Sequence, residues 1–193
     1  DMCPKGATDL RFSCMEELFF YEKSCGVRSY DNWWGTVSRL LKMAKKTQNT
    51  LHLAESYRCA IITFFSFQKN EKIGDVTHKL LQVRRKNPLQ IDKITLNRPN
   101  MVIQTCSLAT QVDWFMGKPK NAHVMFCLAY EMYNQVVHPS SKAIFQEFAC
   151  MYLYAVERNP AFIMKLAEET VELCELYDDT KHRILSKVFL GFA

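Results

Sequence analysis

The chain has 193 residues, of which 48% are apolar and 23% charged, with a formal net charge of +5. Its 6 glycines and 6 prolines argue against collagen-like, disordered and many-stranded β chains, and favour long helices joined by short loops. No apolar run reaches the roughly 18–20 residues that cross a bilayer, so we expect no membrane span. Residues 1–10 lack the basic-then-apolar order of a signal peptide. We expect an all-α fold of one domain or two small lobes.

Residues 8–24 are predicted to form an amphipathic, unusually aromatic N-terminal helix. One side carries apolar residues at helical spacing: Leu10, Cys14, Leu18 and Tyr21. Phe19 and Phe20 add to its aromatic character, and Gly26 follows its end, where glycine is the usual choice. We assign residues 1–30 to an N-terminal helical arm. Its apolar side needs a surface to cover it, either on its own domain or on another molecule.

Three further helices are predicted in the first half of the chain, at 32–47, 50–67 and 74–84. Residues from Ser29 to Asn32 supply the capping chemistry that precedes the first of them. The segment 61–67 is rich in β-branched and aromatic residues, so a strand is the competing prediction there.

A basic run that ends in Asn87-Pro88 breaks the helical pattern and marks the clearest boundary in the chain. Residues 31–86 are therefore assigned to a basic N-lobe and residues 87–193 to a C-lobe. Beyond the break, Pro99 is placed in the first turn of a helix, with Arg98 just before it. The helices predicted for the C-lobe are 99–116, 121–137, 140–157, 161–176 and 179–191.

Positive charge is concentrated in one third of the chain. Between Arg39 and Arg98, thirteen Lys and Arg residues face four acidic residues, or +9; elsewhere twelve face sixteen, or −4. A segregated basic surface attracts phosphate backbones by Coulomb energy and counterion release. The alternative is an ordinary solvated helix face. On charge alone, Arg84, Arg85 and Lys86 are candidate nucleic-acid contacts.

Aromatic residues lie in or beside this basic third: Trp33, Trp34, Phe64, Phe65, Phe67, Trp114 and Phe115. Single-stranded nucleic acid is held by basic grooves that follow its backbone and by aromatic surfaces that take its bases. Aromatic residues at helical spacing also build hydrophobic cores. The pattern is therefore compatible with a nucleic-acid interface and with core packing.

Recognisable catalytic and metal-binding motifs are missing from the sequence. The eight cysteines form no CxxC pair and no zinc-type Cys/His cluster, and the five histidines lie in no HExxH or triad-like context. There is no P-loop and no GxGxxG, and the pair Asp178-Asp179 beside Thr180 is interpreted as a helix cap. We expect no enzyme activity, no cofactor and no metal.

The cysteines are expected to be reduced. Five lie in apolar, helix-like stretches, where a free thiol behaves as a small hydrophobe: Cys59, Cys106, Cys127, Cys150 and Cys174. This pattern is typical of buried thiols in an intracellular protein. One disulfide among Cys3, Cys14 and Cys25 stays open as an alternative.

A series of short motifs runs through residues 55–193. In chain order it comprises Asn87-Pro88, Asp92, Ile94-Thr95-Leu96, Arg98, His138-Pro139-Ser140, Asn159-Pro160 and a closing helix from Asp179 to Leu190. Upstream, the apolar segment from Arg58 to Lys72 ends in basic residues. In order and spacing the series resembles the nucleoproteins of phlebovirus-like segmented negative-strand RNA viruses. Two positions depart from that pattern: Gln68 stands where the family has an arginine, and Pro99 replaces a small apolar residue.

The resemblance implies two helical lobes with single-stranded RNA in the cleft between them. It implies a protein of the virion and host cytoplasm that coats genomic RNA by sequence-independent phosphate contacts, with a viral polymerase as a further partner. Resemblance and charge together assign the RNA-binding residues Arg98, Lys69, Lys72, Arg58, Arg84, Arg85 and Lys86. The implied oligomerisation arm carries Leu18, Phe19, Phe20 and Tyr21. Docking of this arm on a neighbouring copy builds rings or filaments.

Arg98 is the central residue of this assignment. It lies just before a predicted helix N-terminus. We expect its guanidinium and the first backbone N–H groups of that helix to bind a phosphate together.

Two alternative functions stay open. A helical-repeat scaffold would bind protein or peptide through the acidic second half of the chain, would be monomeric and would retain no RNA. A secreted helical bundle would be stapled by disulfides between its cysteines.

Overall fold

The computed structural model describes residues 5–26, 29–91, 100–133, 139–156, 160–177 and 180–192. Throughout these ranges the regular elements are helices, which confirms the predicted all-α class. In chain order they are α1 (Lys5–Ser24), α2 (Tyr30–Thr47), α3 (Thr50–Ser66), α4 (Ile73–Lys86), α5 (Pro88–Ile91), α6 (Met101–Phe115), α7 (Pro119–Tyr133), α8 (Pro139–Val156), α9 (Pro160–Leu176) and α10 (Thr180–Phe192). A single 3-10 turn, Asn70–Lys72, precedes α4.

Local signals in the sequence set several helix boundaries. Ser29 caps α2 by accepting a hydrogen bond from the backbone N–H of Asn32, as predicted. Asn49 caps α3 by accepting two backbone N–H groups of its first turn. Residues 61–66 form the last part of α3 and continue its buried side, so the strand alternative is wrong. Several residues that carry predictions lie outside the described residues, among them Cys3, Asp92, Arg98, Pro99, His138, Asn159, Asp178 and Asp179.

The chain divides into two compact units, Asp1–Ile91 and Asp92–Ala193, called unit 1 and unit 2 below. The division follows Ile91, whereas the predicted boundary follows Lys86. Helix α1 falls within unit 1 and packs against α2.

Unit 1 is built around α3, which packs against both α2 and α4. The core is formed by fully buried residues from α1 to α4: Phe12, Phe19, Val37, Leu40, Ile61, Ile73 and Leu80. Burial of one aliphatic or aromatic side chain of this size contributes about 1.5–3 kcal/mol. The stability of unit 1 therefore depends on all four helices and not on a separate two-helix pair.

The side of helix α1 that faces the core is not the side of Leu10, Leu18 and Tyr21 that the apolar spacing indicated. Phe19 is fully buried and meets Trp33 of α2 edge to face, with ring centroids 5.6 Å apart. The residues Leu10, Leu18 and Tyr21 are 66%, 47% and 67% exposed. The assignment of Phe19 to an outward docking face is therefore wrong, because this side chain packs inside its own unit.

In unit 2, α6 packs against α7 and α8, and α9 packs against α8 and α10. A hydrogen-bond network joins three of these helices. The side-chain amide of Gln146 donates to the hydroxyl of Tyr133 at 2.7 Å, and that hydroxyl donates to Glu169 at 3.3 Å. Burial, followed by the charge of Glu169, raises the pKa of Tyr133, so this hydroxyl stays a donor.

Four of the five cysteines predicted to be buried are buried: Cys59, Cys106, Cys150 and Cys174. Cys127 is the exception, because it lies on the solvent side of α7. Cys14 and Cys25 are exposed free thiols, so a disulfide between these two is excluded. Among the described helices, none combines the length and the hydropathy needed to span a membrane.

Candidate nucleic-acid interface

Five aromatic side chains of unit 1 pack together, and we call them the ring cluster: Tyr30, Trp33, Trp34, Phe64 and Phe67. Trp33 meets Phe67 edge to face with centroids 5.2 Å apart, and Trp34 meets Phe64 at 4.9 Å. Tyr30 stacks nearly parallel to Trp34 at 6.3 Å. A short connection joins α2 to α3, so the first turns of α2 lie beside the end of α3.

The ring cluster has a buried base and a partly exposed rim. Trp33 and Phe64 are each 3% exposed, so they anchor the cluster in the core. Tyr30, Trp34 and Phe67 keep part of their ring surface in contact with solvent. The core-packing alternative therefore applies to the two anchors, while the three rim residues offer ring surface that a nucleic-acid base can contact.

Lys69 and Lys72 hold their ammonium groups beside the ring cluster. Nζ of Lys69 lies 5.9 Å from the centroid of the Tyr30 ring, and Nζ of Lys72 lies 5.5 Å from that of Phe64. Both lysines are exposed. No carboxylate of the described residues lies within 4.0 Å of either ammonium group. Their positive charge is therefore free to meet a phosphate.

A tight turn after α3 places these two lysines. Gln68 adopts a left-handed backbone conformation with φ of 56°. The N–H of Lys69 then returns to the carbonyl of Phe64 at 2.8 Å, and the N–H of Lys72 donates to the carbonyl of Lys69 at 3.0 Å. The chain folds back over the end of α3, so both side chains start beside the rings.

Further cations line the outer sides of α2 and α4. Those that are exposed are Arg39, Lys42, Lys45, Lys46, Lys79, Arg85 and Lys86. Arg84, Arg85 and Lys86 occupy the last turn of α4, where positive charge also stabilises the helix through its dipole. This structural role competes with the predicted role of these three residues in RNA binding, which stays a prediction.

Arg58 does not belong to this surface. Its guanidinium is buried, with Nε 2.7 Å from Oε2 of Glu55 and Nη2 3.2 Å from Oε1 of Glu16. Burial by itself lowers the pKa of Arg58, but the carboxylates, Glu55 foremost, outweigh it and raise that pKa. The assignment of Arg58 to phosphate binding is wrong, because its charge is engaged by two carboxylates inside unit 1.

Arg98 lies outside the described residues, but the helix start that follows it is described. Asn100 caps α6, which begins later than predicted, by accepting the N–H groups of Val102 and Ile103 at 3.0 Å each. The N–H of Asn100 itself donates to the hydroxyl of Ser141 at 2.7 Å. These three donors have partners within unit 2, and the predicted phosphate contact of Arg98 stays a prediction.

Sequence reasoning missed Tyr30 as part of the aromatic surface, because it was interpreted only as part of the cap of α2. The signal was present, since a tyrosine four residues before Trp34 on a helix shares its face. Trp114 and Phe115, also among the aromatic candidates, belong to unit 2.

Within the described residues, no group of three or more His, Cys, Asp or Glu side chains is arranged to hold a metal ion. Comparison with known proteins shows no match to a protein-family model, to a curated protein or to a solved structure. The resemblance to viral nucleoproteins therefore depends on the sequence motifs alone. The ring cluster and its two lysines are an independent observation, made on the geometry of this chain.

Proposed function

We propose that this protein binds single-stranded RNA with little base preference and assembles along it as a viral-nucleoprotein-like coat. The observation that carries the proposal is the placement of two exposed lysines at the ring cluster, Lys69 beside the partly exposed Tyr30 ring and Lys72 beside the buried Phe64 ring. Binding of single-stranded nucleic acid requires both components side by side, cations for the phosphates and ring faces for the bases. The function is binding without chemical turnover.

The charge of unit 1 supports binding to a polyanion. Residues 1–91 contain fifteen Lys and Arg against nine acidic residues, or +6, whereas residues 92–193 contain ten against eleven, or −1. Each lysine or arginine that contacts a phosphate releases a condensed counterion. Because phosphates are the same in every sequence, binding driven by these contacts carries no base preference.

Stacking on the rim of the ring cluster supplies the second part of the affinity. A base that stacks on an aromatic side chain contributes about 1–3 kcal/mol, and every base has a face that can do so. A nucleotide carries its phosphate close to its base. The base of one nucleotide can therefore stack on the ring of Trp34 or Tyr30 while its phosphate meets the ammonium group of Lys69.

Assembly along RNA is proposed to use the outward side of α1. Leu10, Leu18 and Tyr21 expose apolar side chains there, while Phe19 holds the opposite side of the helix in unit 1. Covering these side chains on another copy of the chain removes apolar surface from water. Head-to-tail contacts of this kind close into rings or continue as filaments.

The sequence resemblance adds the viral setting to this proposal, with genomic RNA as the ligand and the virion and host cytoplasm as the location. The cleft that the resemblance implies stays a prediction, as does the role of Arg98. The binding surface proposed above requires only residues of unit 1.

Fluorescence anisotropy with labelled oligouridine tests the proposal. The Lys69→Ala/Lys72→Ala variant is expected to bind about tenfold or more weakly than the wild type at physiological salt, because two phosphate contacts are lost. The Lys118→Ala/Lys120→Ala variant removes the same charge from exposed positions of unit 2 and is the matched control, expected to bind like the wild type.

Equal losses of oligouridine affinity in the two variants, or no loss in either, would contradict the assignment of the RNA surface to Lys69 and Lys72. A wild-type chain that is monomeric and binds no oligouridine would instead favour the helical-repeat scaffold.

A further inference from the structure

Three side chains of unit 2 are connected by hydrogen bonds, and none of them belongs to the proposed RNA-binding surface. Sγ of Cys127 lies 3.6 Å from Nε2 of His123, which is one turn earlier on α7. The other ring nitrogen of His123, Nδ1, lies 3.2 Å from the hydroxyl of Tyr152 on α8. Tyr152 is 4% exposed, and its ring packs on Phe126 with centroids 4.9 Å apart. Its hydroxyl is therefore held in place against the imidazole.

Cys127 differs from the other described cysteines in its surroundings. The buried ones are Cys59, Cys106, Cys150 and Cys174. Burial raises the pKa of Cys150 to about 12, so that thiol stays protonated and shielded. Cys14 and Cys25 are exposed like Cys127, but no described side chain forms a hydrogen bond with either sulfur. Of the described cysteines, Cys127 is the one that combines exposure with an imidazole at its sulfur.

We propose that Cys127 is a modification site that forms mixed disulfides with low-molecular-weight disulfides, with His123 as its base. The proposal requires the tautomer in which Nδ1–H of His123 donates to the Tyr152 hydroxyl and the lone pair of Nε2 faces the thiol. Tyr152 is thus a positioning residue, because it selects the tautomer that can accept the thiol proton. An imidazole within hydrogen-bond reach of a thiol activates it by accepting its proton as the sulfur attacks.

The reaction is an exchange and needs no oxidant beyond the disulfide itself. Nε2 of His123 takes the proton of Cys127, and the thiolate attacks one sulfur of the small disulfide. A new S–S bond forms as the original one breaks, and the departing thiolate takes the proton from the imidazolium. One thiol and one disulfide are converted into one mixed disulfide and one thiol.

Site-resolved kinetics with oxidised glutathione test the proposal on the full chain. Peptide mass spectrometry follows the mixed disulfide at each cysteine, and Cys14 and Cys25 serve as exposed internal controls. At neutral pH, Cys127 is expected to react about tenfold faster than either control, because the adjacent imidazole accepts its proton as the sulfur attacks. Equal rates at Cys127, Cys14 and Cys25 would overturn the proposal.

Two variants separate the roles of the partners. His123→Gln is expected to slow the reaction of Cys127 to the rate of Cys14 and Cys25, while their own rates stay unchanged. The buried Cys150 should stay unreactive, which verifies that unit 2 is folded. Tyr152→Phe keeps the ring, slows Cys127 in part and moves the proton of His123 from Nδ1 to Nε2 in nitrogen NMR spectra. A wild-type rate of Cys127 in His123→Gln would overturn the role of His123 as the base. A proton that stays on Nδ1 in Tyr152→Phe would overturn the positioning role of Tyr152.

Discussion

The guanidinium of Arg58 on α3 lies 3.2 Å from the carboxylate of Glu16 on α1, a residue 42 positions earlier in the chain. Glu55 contacts the same guanidinium at 2.7 Å, and the Phe20 ring faces it with its centroid 4.9 Å away. Glu16, Glu55 and Arg58 are 2%, 7% and 5% exposed. Buried charges, such as those of this triad, are tolerated only when they are paired and hydrogen-bonded. The contact between Glu16 of α1 and Arg58 of α3 therefore stabilises the packing of these two helices.

Removal of the arginine from this triad should cost more stability than removal of one acid. Arg58→Met leaves two buried carboxylates without the guanidinium that faces them, and we expect a loss of about 3–5 kcal/mol. Glu16→Gln leaves the Arg58–Glu55 pair in place, so its cost should be clearly smaller. Denaturant unfolding of both variants measures the difference. Equal stability of the two variants would show that the triad does not act as a unit.

His52 connects α1 and α3 in a second way. Its imidazole stacks on Phe12 with centroids 3.9 Å apart and planes at 7°, and its Nδ1 is buried with no hydrogen-bond partner among the described atoms. Burial lowers the pKa of His52 from 6.5, and the carboxylates of Asp9 and Glu16 offset only part of this effect. The unfolded chain therefore takes up this proton more readily than the folded chain. The resulting stability is present above pH 6.5 and is lost as the pH falls through the lowered pKa.

We therefore expect the thermal unfolding midpoint to decrease as the pH is lowered from about 7.5 to about 5.5. His52→Gln should flatten this dependence. His78→Gln, which removes an exposed imidazole of α4, is the matched control and should retain it. Circular dichroism at several pH values makes the measurement, and a wild-type pH dependence in His52→Gln would contradict this role.

The helices were largely predictable from the sequence because their boundaries depend on local chemistry. Ser29 caps α2, and Pro139 and Pro160 each begin a helix, close to the predicted starts. The strand alternative at 61–67 arose because β-branched and aromatic side chains favour strands locally. A helix forms instead because Ile61, Thr63 and Phe64 are buried on the packed side of α3, where tertiary packing overrides propensity.

The roles of Arg58 and α1 were not predictable in this way, because both depend on contacts between distant residues. Helix α1 carries apolar side chains on two sides, and the periodicity of Leu10 and Leu18 indicated one of them. The triad of Glu16, Glu55 and Arg58 holds the other side, with Phe19, against unit 1. A lone arginine inside an apolar helix is the sequence signal that was missed, since it requires a buried carboxylate partner.

Substitution of the rim residue Trp34 tests the stacking contribution. Trp34→Leu should weaken oligouridine binding by about 1–3 kcal/mol while leaving the salt dependence nearly unchanged, because the lost ring carries no charge. Tyr177→Leu removes an aromatic side chain that is 58% exposed on unit 2 and serves as the control. A folded Trp34→Leu variant with wild-type affinity in anisotropy measurements would exclude stacking at this ring.

The outward side of α1 is tested by Leu18→Ser/Tyr21→Ser. Because both side chains are largely exposed, the thermal midpoint should stay within a few degrees of the wild type. Assembly on RNA, measured by light scattering, should be lost. The control is Leu176→Ser/Tyr177→Ser, which changes two exposed apolar residues of unit 2. Wild-type assembly in the α1 variant, or loss in both variants, would contradict the proposed contact.

The salt dependence of oligouridine binding tests the central claim most directly, because it counts phosphate contacts. Each contact with a single strand contributes about 0.7 to the slope of log affinity against log salt concentration. Lys69→Ala/Lys72→Ala should therefore reduce the magnitude of this slope by about 1.4, while Lys118→Ala/Lys120→Ala should leave it unchanged. A wild-type slope in the Lys69→Ala/Lys72→Ala variant would show that neither lysine meets a phosphate, and the proposed RNA surface would be wrong.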